Sequence, residues 1–315
     1  MRPAFLTLLM ATVVTTAANS QTRDSVKLTQ DQASVFLSKD EGDSWTPANM
    51  GLPPGAVIND WATLEKSVIA STEGHGLFVS DDGMKTWHAC NNGLPGALKI
   101  KTLVKHDNLL FAGSYLHGVY VSHNTGNSWE KASEGLGEVS VRSLYSLNSI
   151  LYAGTDTGIY RSTDNGLHWD LAAHGMQVNA FTSWNNVLFV ATNLGIMRSG
   201  SGGLHWTWSW TGRALFNISA HNGIISSILP TGEVYQCEAS ADGGALLLPL
   251  FNQYTFRITP SGSLLLVSPW RATFRSLREQ GTFQGYGLPK NIPFDQVLKT
   301  PAGILIATSR SRNGC

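Results

Sequence analysis

The chain has 315 residues, with 22 Lys+Arg balanced by 22 Asp+Glu, so no charge excess is available for a phosphate backbone and an electrostatically driven nucleic-acid partner is excluded. Its length admits one large domain or two ordinary ones. Thirty-two glycines and ten tryptophans point to a soluble, turn-rich β protein.

Residues 1–20, MRPAFLTLLMATVVTTAANS, combine a basic start at Arg2, an apolar run from Ala4 to Val14 and small residues at Ala18 and Ser20. This is the pattern of an export signal cut after Ser20, which places the mature chain in the periplasm or outside the cell. The run is too short and too broken by threonines to stay as a membrane span, and no stable membrane insertion of the mature chain is expected.

From there the tryptophans set a period. Trp45, Trp87, Trp129, Trp169 and Trp206 lie 42, 42, 40 and 37 residues apart. Each closes a box: SKDEGDSW (Ser38, Asp40, Gly42, Trp45), SDDGMKTW (Ser80, Asp82, Gly83, Trp87), SHNTGNSW (Ser122, Asn124, Gly126, Trp129), STDNGLHW (Ser162, Asp164, Gly166, Trp169) and SGSGGLHW (Ser199, Gly203, Trp206). Apolar runs broken by turn residues precede each box, so every repeat reads as four short strands. In the third box's repeat these fall at Ile100 to Val104, Leu109 to Gly113, Val119 to Ser122 and from Ser128 onward.

Beyond Trp206 the repeat is fainter but in phase: Cys237 replaces a box serine, and Phe283 precedes Gly287-Leu288-Pro289, echoing Gly51-Leu52-Pro53 and Gly93-Leu94-Pro95. The chain starts with the last two strands of a repeat and finishes with the first two. Pairing them completes a ring, so the expectation is an all-β, seven-bladed β-propeller spanning 21–315 as a single domain, one blade shared between the two ends. Cys90, Cys237 and Cys315 have no metal-ligand spacing, Cys90 reads as a small packing residue, and no cofactor motif is present.

The boxes resemble the Asp-box, or BNR, repeat family, with consensus Ser-x-Asp-x-Gly-x-Thr/Ser-Trp. SKDEGDSW matches throughout, STDNGLHW departs at His168, SHNTGNSW has Asn124 for the acid, and SGSGGLHW has Ser201 in its place. The resemblance implies a propeller shared by sialidases, xyloglucan-cleaving enzymes, sortilin-type receptors and photosystem II assembly-factor-like proteins, with the boxes as structural clasps remote from the functional face. Shared fold does not carry activity across such a family.

The opposite face gathers the loops between second and third strands and those between repeats, where binding groups concentrate. It offers Glu73, His75, Tyr115, His117, Asp156, Asn193, Trp270 and Arg271, with Asn59, Asp60, Lys101, Arg142, Asn179, Arg213, Asn217 and Asp295 at or near strand starts. His75 and His117 occupy matching places in adjacent repeats, but their spacing is no recognised metal signature. Arg142, Arg213 and Arg257 do not reproduce a sialidase arginine cluster, because YTFRITP follows the boxes instead of preceding them. Arg161, Arg198 and Arg275 recur before the box serine as strand surface. Trp206, Trp208 and Trp210 alternate along one strand and read as packing between blades, with a sugar-stacking ladder as the alternative. The expectation is therefore a non-enzymatic module binding a protein or glycan, with a glycoside hydrolase as the rival.

Overall fold

The computed structural model describes residues 34–40, 44–96, 98–221, 223–228, 234–239, 246–248, 255–258, 264–267, 273–274, 283–284 and 294–308. Four consecutive repeats fold as four-stranded antiparallel meanders. They are Ile58–Thr63, Val68–Thr72, Gly76–Ser80 and His88–Ala89; Ile100–His106, Leu109–Ser114, Val119–Ser122 and Glu130–Lys131; Val141–Leu147, Ile150–Thr155, Gly158–Ser162 and Asp170–His174; and Val178–Trp184, Val187–Thr192, Gly195–Ser199 and Thr207–Thr211. A fifth sheet comprises Ser219–His221, Ile224–Ile228, Val234–Glu238 and Leu246–Leu248. Two hairpins follow, Thr255–Ile258 with Leu264–Val267 and Thr273–Phe274 with Phe283–Gln284.

A further sheet joins distant parts of the chain in the order Thr46–Pro47, Val35–Ser38, Gly303–Thr308, Phe294–Thr300. Val35 pairs with Ala307 and Ser38 with Ile304. The first strands of successive sheets lie against each other, and Phe294–Thr300 lies against Ile58–Thr63.

Second strands such as Val68–Thr72 are buried along their whole length, because neighbouring sheets cover both faces. Two of the first-to-second strand turns use a pair of residues with positive φ, Asn148 (51°) with Ser149 (56°) and Asn185 (48°) with Asn186 (64°), the geometry that matches strand twist. The cores lie between sheets: Leu77, Cys90, Leu110 and Trp129 belong to one cluster, Phe111, Leu136, Val141 and Trp169 to the next.

The seams explain the Gly-Leu-Pro echoes. The Trp87 backbone N–H donates to Met50 O (2.8 Å) and its indole N–H to Ala48 O (2.7 Å), both in the loop leaving the preceding box. Trp129 repeats this with Asn92 O (2.9 Å) and Cys90 O (3.0 Å), and Trp169 with Glu134 O (2.8 Å) and Ala132 O (3.0 Å). Gly51, Gly93 and Gly135 make this approach possible: a Cβ there would stand 2.1, 2.1 and 2.3 Å from the next tryptophan's carbonyl oxygen. Trp206 differs, since its indole bonds Gly203 O within its own turn.

Outer strands follow suit, with two residues where the clasp forms and five at Asp170–His174 and Thr207–Thr211. In the third repeat the expected fourth strand begins at Glu130 and not at Ser128, because the Ser128 and Trp129 amides are bound to Asn124 Oδ1 and Asn92 O. Cys90 is buried as a packing residue, and burial pushes its thiol up to about 12. Trp206 and Trp210 pack into different clusters and of the three only Trp208 is exposed, so the strand offers no continuous aromatic platform for the alternative sugar-stacking ladder.

Candidate functional site

The first strands of the four complete repeats each open on a buried Ile or Val followed by a polar residue, and at that polar residue the ladder slips by one. Ile58 pairs with Thr72 but Asp60 with Ser71, leaving Asn59 as the extra residue of a bulge. The same shift isolates Lys101, Arg142 and Asn179 in the next three sheets, and Asp295 in the sheet that joins the two ends. A bulge re-aims the side chain it carries. Here Asn59, Lys101, Arg142 and Asn179 converge with Ser140, Tyr115 and Phe216 on a cavity of ≈ 410 Å³.

The frame of the cavity is backbone. The loop between second and third strands donates to the residue just before each first strand: Glu73 N to Val57 O (2.8 Å), Tyr115 N to Lys99 O (2.9 Å), Asp156 N to Ser140 O (3.3 Å) and Asn193 N to Gln177 O (3.0 Å). Each loop turns on a buried hydroxyl, with Thr72 Oγ1 donating to Gly76 O, Ser114 Oγ to Gly118 O and Thr155 Oγ1 to Gly158 O.

On this frame the charged groups are paired. Lys101 Nζ meets Glu73 Oε2 at 3.1 Å, and Arg142 Nη1 meets Asp156 Oδ1 at 3.0 Å. Arg142 Nε donates to Asn179 Oδ1 (2.9 Å), whose own amide donates onward to Leu215 O (2.7 Å). Turned so that its oxygen faces the guanidinium, the Gln177 amide lies 2.7 Å from Arg142 Nη2. Half-exposed pairs of this kind add little stability, so their consequence is orientation.

Of the sequence-singled residues, Asn59, Lys101, Tyr115, Arg142 and Asn179 line the cavity while Glu73 and Asp156 stand behind its cations. His75 is exposed, and His117 Nδ1 faces Glu138 Oε2 at 3.6 Å. Among the described residues no group of three or more His, Cys, Asp or Glu is arranged to hold a metal. Asp60 is committed elsewhere: Oδ1 accepts from Trp61 N and Oδ2 from Leu103 N in the next sheet, each at 2.9 Å. Trp270, Arg271, Gly42 and the 1–20 segment lie outside the described residues, and nothing is described of the Arg257 and Asp295 side chains. Ser140, Gln177 and Phe216 escaped the sequence reading. The first two share one repeat position, immediately before the buried residue that opens strand one, which was the available signal.

The boxes lie at the other end of the sheets. In each, the serine Oγ bonds the acidic position: Ser38 to Asp40 (2.8 Å), Ser80 to Asp82 (3.0 Å), Ser122 to Asn124 (3.0 Å) and Ser162 to Asp164 (2.8 Å). The same oxygen accepts the amide four residues on, from Met84, Gly126, Gly166 and Gly203. Box two therefore keeps the left-handed position without glycine: Met84 has φ 63°, and Gly83 fills the position before it. His168 stands in for the consensus hydroxyl, with Nδ1 2.7 Å from Asp164 Oδ2 and Nε2 3.4 Å from Glu134 Oε2.

Side-chain and backbone hydrogen bonds from Ser44, with Ser38, hold the Asp40 carboxyl down to about 2. For Asp164, burial raises the pKa but is outweighed by bonds from His168 and Ser162, which bring it to about 2. A carboxyl depressed on folding stabilises above its unfolded pKa, here about 3.8, and the contribution is lost as pH falls toward about 2. Asn124 makes the same bonds without charge, its Nδ2 donating to Ser128 Oγ at 2.8 Å. Asp40→Asn is accordingly expected to leave the urea midpoint at pH 7 almost unchanged and to lose less of it between pH 4 and pH 2 than the parent. Equal acid slopes for the two proteins would show that the Asp40 charge is not used.

No protein-family profile matches the sequence, and a search of curated proteins finds no match. Solved structures do. One described as YCF48 bound to D1 peptide matches with TM-score 0.65 and 16% identity over 83% of this chain and 96% of its own. The fold is a β-propeller. The GH74 xyloglucanase from Xanthomonas campestris matches at TM-score 0.58 and 14% identity over 88% of this chain. PorZ, a surface component of the type-IX secretion system of Porphyromonas gingivalis, matches at TM-score 0.58 and 12% identity over 82%. This propeller spans 55% of the xyloglucanase chain and 39% of the PorZ chain. Identities this low speak for architecture alone.

Proposed function

We propose that the chain is an exported Asp-box propeller, seven-bladed and closed by the blade its two ends share, that acts without catalysis and holds a protein ligand at the bulge-lined cavity. The first strands follow one another side by side, and the ends pair within one sheet, which supports the ring. The N-terminal pattern of a basic start, an apolar run and small residues supports export of 21–315 as a single domain to the periplasm or beyond.

One observation carries the binding reading. Among the described residues, the carboxylates Glu73 and Asp156 are each paired with one of the cavity's cations, where a glycosidase would need two carboxyl groups facing a sugar across about 5 to 10 Å. YCF48, with the same fold, is described as bound to a peptide, whereas the GH74 neighbour is a xyloglucanase, which makes hydrolysis the second reading to test.

A photo-crosslinker placed at Phe216 of the full chain is expected to yield a discrete protein adduct. Lys101→Ala with Arg142→Ala should reduce its yield at least tenfold, while stability changes by less than about 1 kcal/mol. Turnover of aryl glycosides or xyloglucan, abolished by Glu73→Gln or Asp156→Asn, would instead make the protein an enzyme.

A further inference from the structure

We propose that the cavity recognises a carboxylate on an apolar peptide segment, bound by Ser140, Lys101 and Arg142 between Tyr115 and Phe216. This rests on the reading of that cavity as the binding site. Ser140 supplies the independent sign of a ligand. It is 2% exposed, it lines the cavity, and its hydroxyl has no hydrogen-bond partner. A buried hydroxyl left without a partner is costly in a folded protein, and one on a cavity wall is satisfied when an acceptor enters.

Its neighbours are also donors. The Lys101 ammonium has three N–H groups and gives one to Glu73. The Arg142 guanidinium has five; Asn179, Asp156 and Gln177 fix its plane and leave N–H groups on the terminal nitrogens. A forked guanidinium, an ammonium and a hydroxyl match a group with two acceptor oxygens.

Charge selects the class. Glu73 and Asp156 already neutralise the two cations, so little net positive charge remains for a dianion such as a phosphate monoester, and a monoanion fits better. The rim is apolar and open: Tyr115 is 46% and Phe216 51% exposed, with Leu116 at 48% beside Tyr115. Donors at the centre and apolar groups at the rim suit a carboxylate flanked by hydrophobic side chains. A sugar, whose hydroxyls donate as well as accept, suits them less.

The full chain is tested on three bead-bound random heptapeptide libraries: one with free carboxyl termini, one amidated and containing Asp and Glu, and one amidated without them. Immobilised oligogalacturonate serves as the fourth probe. Retention on the first library alone assigns a chain terminus, and retention on the second assigns an acidic side chain. In either case Ser140→Ala and Arg142→Gln should each weaken binding about tenfold or more, and Ser140→Ala should leave the urea midpoint no lower than the parent's, because no partner in the fold uses that hydroxyl and its burial carries a cost. Equal retention on the third library overturns the carboxylate and leaves peptide binding standing. Retention on oligogalacturonate only overturns the peptide, and retention on nothing overturns the binding site itself, and the carboxylate with it.

Discussion

Gly93→Ala is expected to cost about 3 to 5 kcal/mol, far more than a loop substitution usually does. Gly93 has φ 86°, a left-handed conformation in which an L side chain loses about 1 to 2 kcal/mol. The new Cβ would also stand 2.1 Å from Trp129 O, against backbone that has no freedom to swing aside. Relieving that contact pulls the loop from the tryptophan and strains the bonds from Trp129 to Asn92 O and Cys90 O, each worth roughly 1 kcal/mol net. Gly96→Ala, three residues on, meets nothing within 4 Å and should be neutral. Urea unfolding at pH 7 measures both; a loss below about 1 kcal/mol for Gly93→Ala would mean that the loop yields and the seam is not held there.

Trp129→Ala should cost a similar amount, about 3 to 5 kcal/mol. The indole is buried in the cluster between its own sheet and the preceding one, and no neighbour is free to fill its volume. Trp129→Phe keeps an aromatic ring but loses the rest of the indole and its N–H to Cys90 O, so about 2 to 3 kcal/mol is expected, from an unpaired buried carbonyl and a small cavity. Trp206→Ala is the informative control. Its indole is only half-buried and bonds within its own turn, so the loss should be about half that of Trp129→Ala. Equal losses at the two sites would place the contribution of the box tryptophan inside the repeat and not at the seam.

The architecture was legible because it repeats. Five tryptophans in phase gave the sheets, and two half-repeats gave the pairing of Val35–Ser38 with Gly303–Thr308. The cavity was legible only as a set of loops. Its defining device is a bulge, and a bulge is a mismatch between two strands, invisible when either is read alone: Lys101 becomes the extra residue only because Ile100 faces Ser114 while Thr102 faces Gly113. Ser140 was missed for a related reason, since a serine before a strand is ordinary until its surroundings leave the hydroxyl without a partner. His75 and His117 hold matching places in adjacent repeats, and His117 turns to Glu138 on its own repeat's outer loop while His75 is exposed.

The exchange of glycine for Met84 in the second box bears on how the repeats keep their order. A Cβ on Gly126 would stand 2.5 Å from Ile69, on Gly166 2.6 Å from Phe111 and on Gly203 2.7 Å from Tyr152, each in the second strand of the sheet before. Met84 instead shares a buried cluster with Leu305, the aliphatic residue at the corresponding place in the sheet that joins the chain's ends. At three described seams a glycine meets a large side chain, whereas at this one methionine meets leucine. The repeats are therefore not interchangeable cassettes: moved one place along, the second box would drive its methionine into Ile69. Steric complementarity at successive seams acts as an address, discriminating each repeat's proper neighbour from copies that share its sequence.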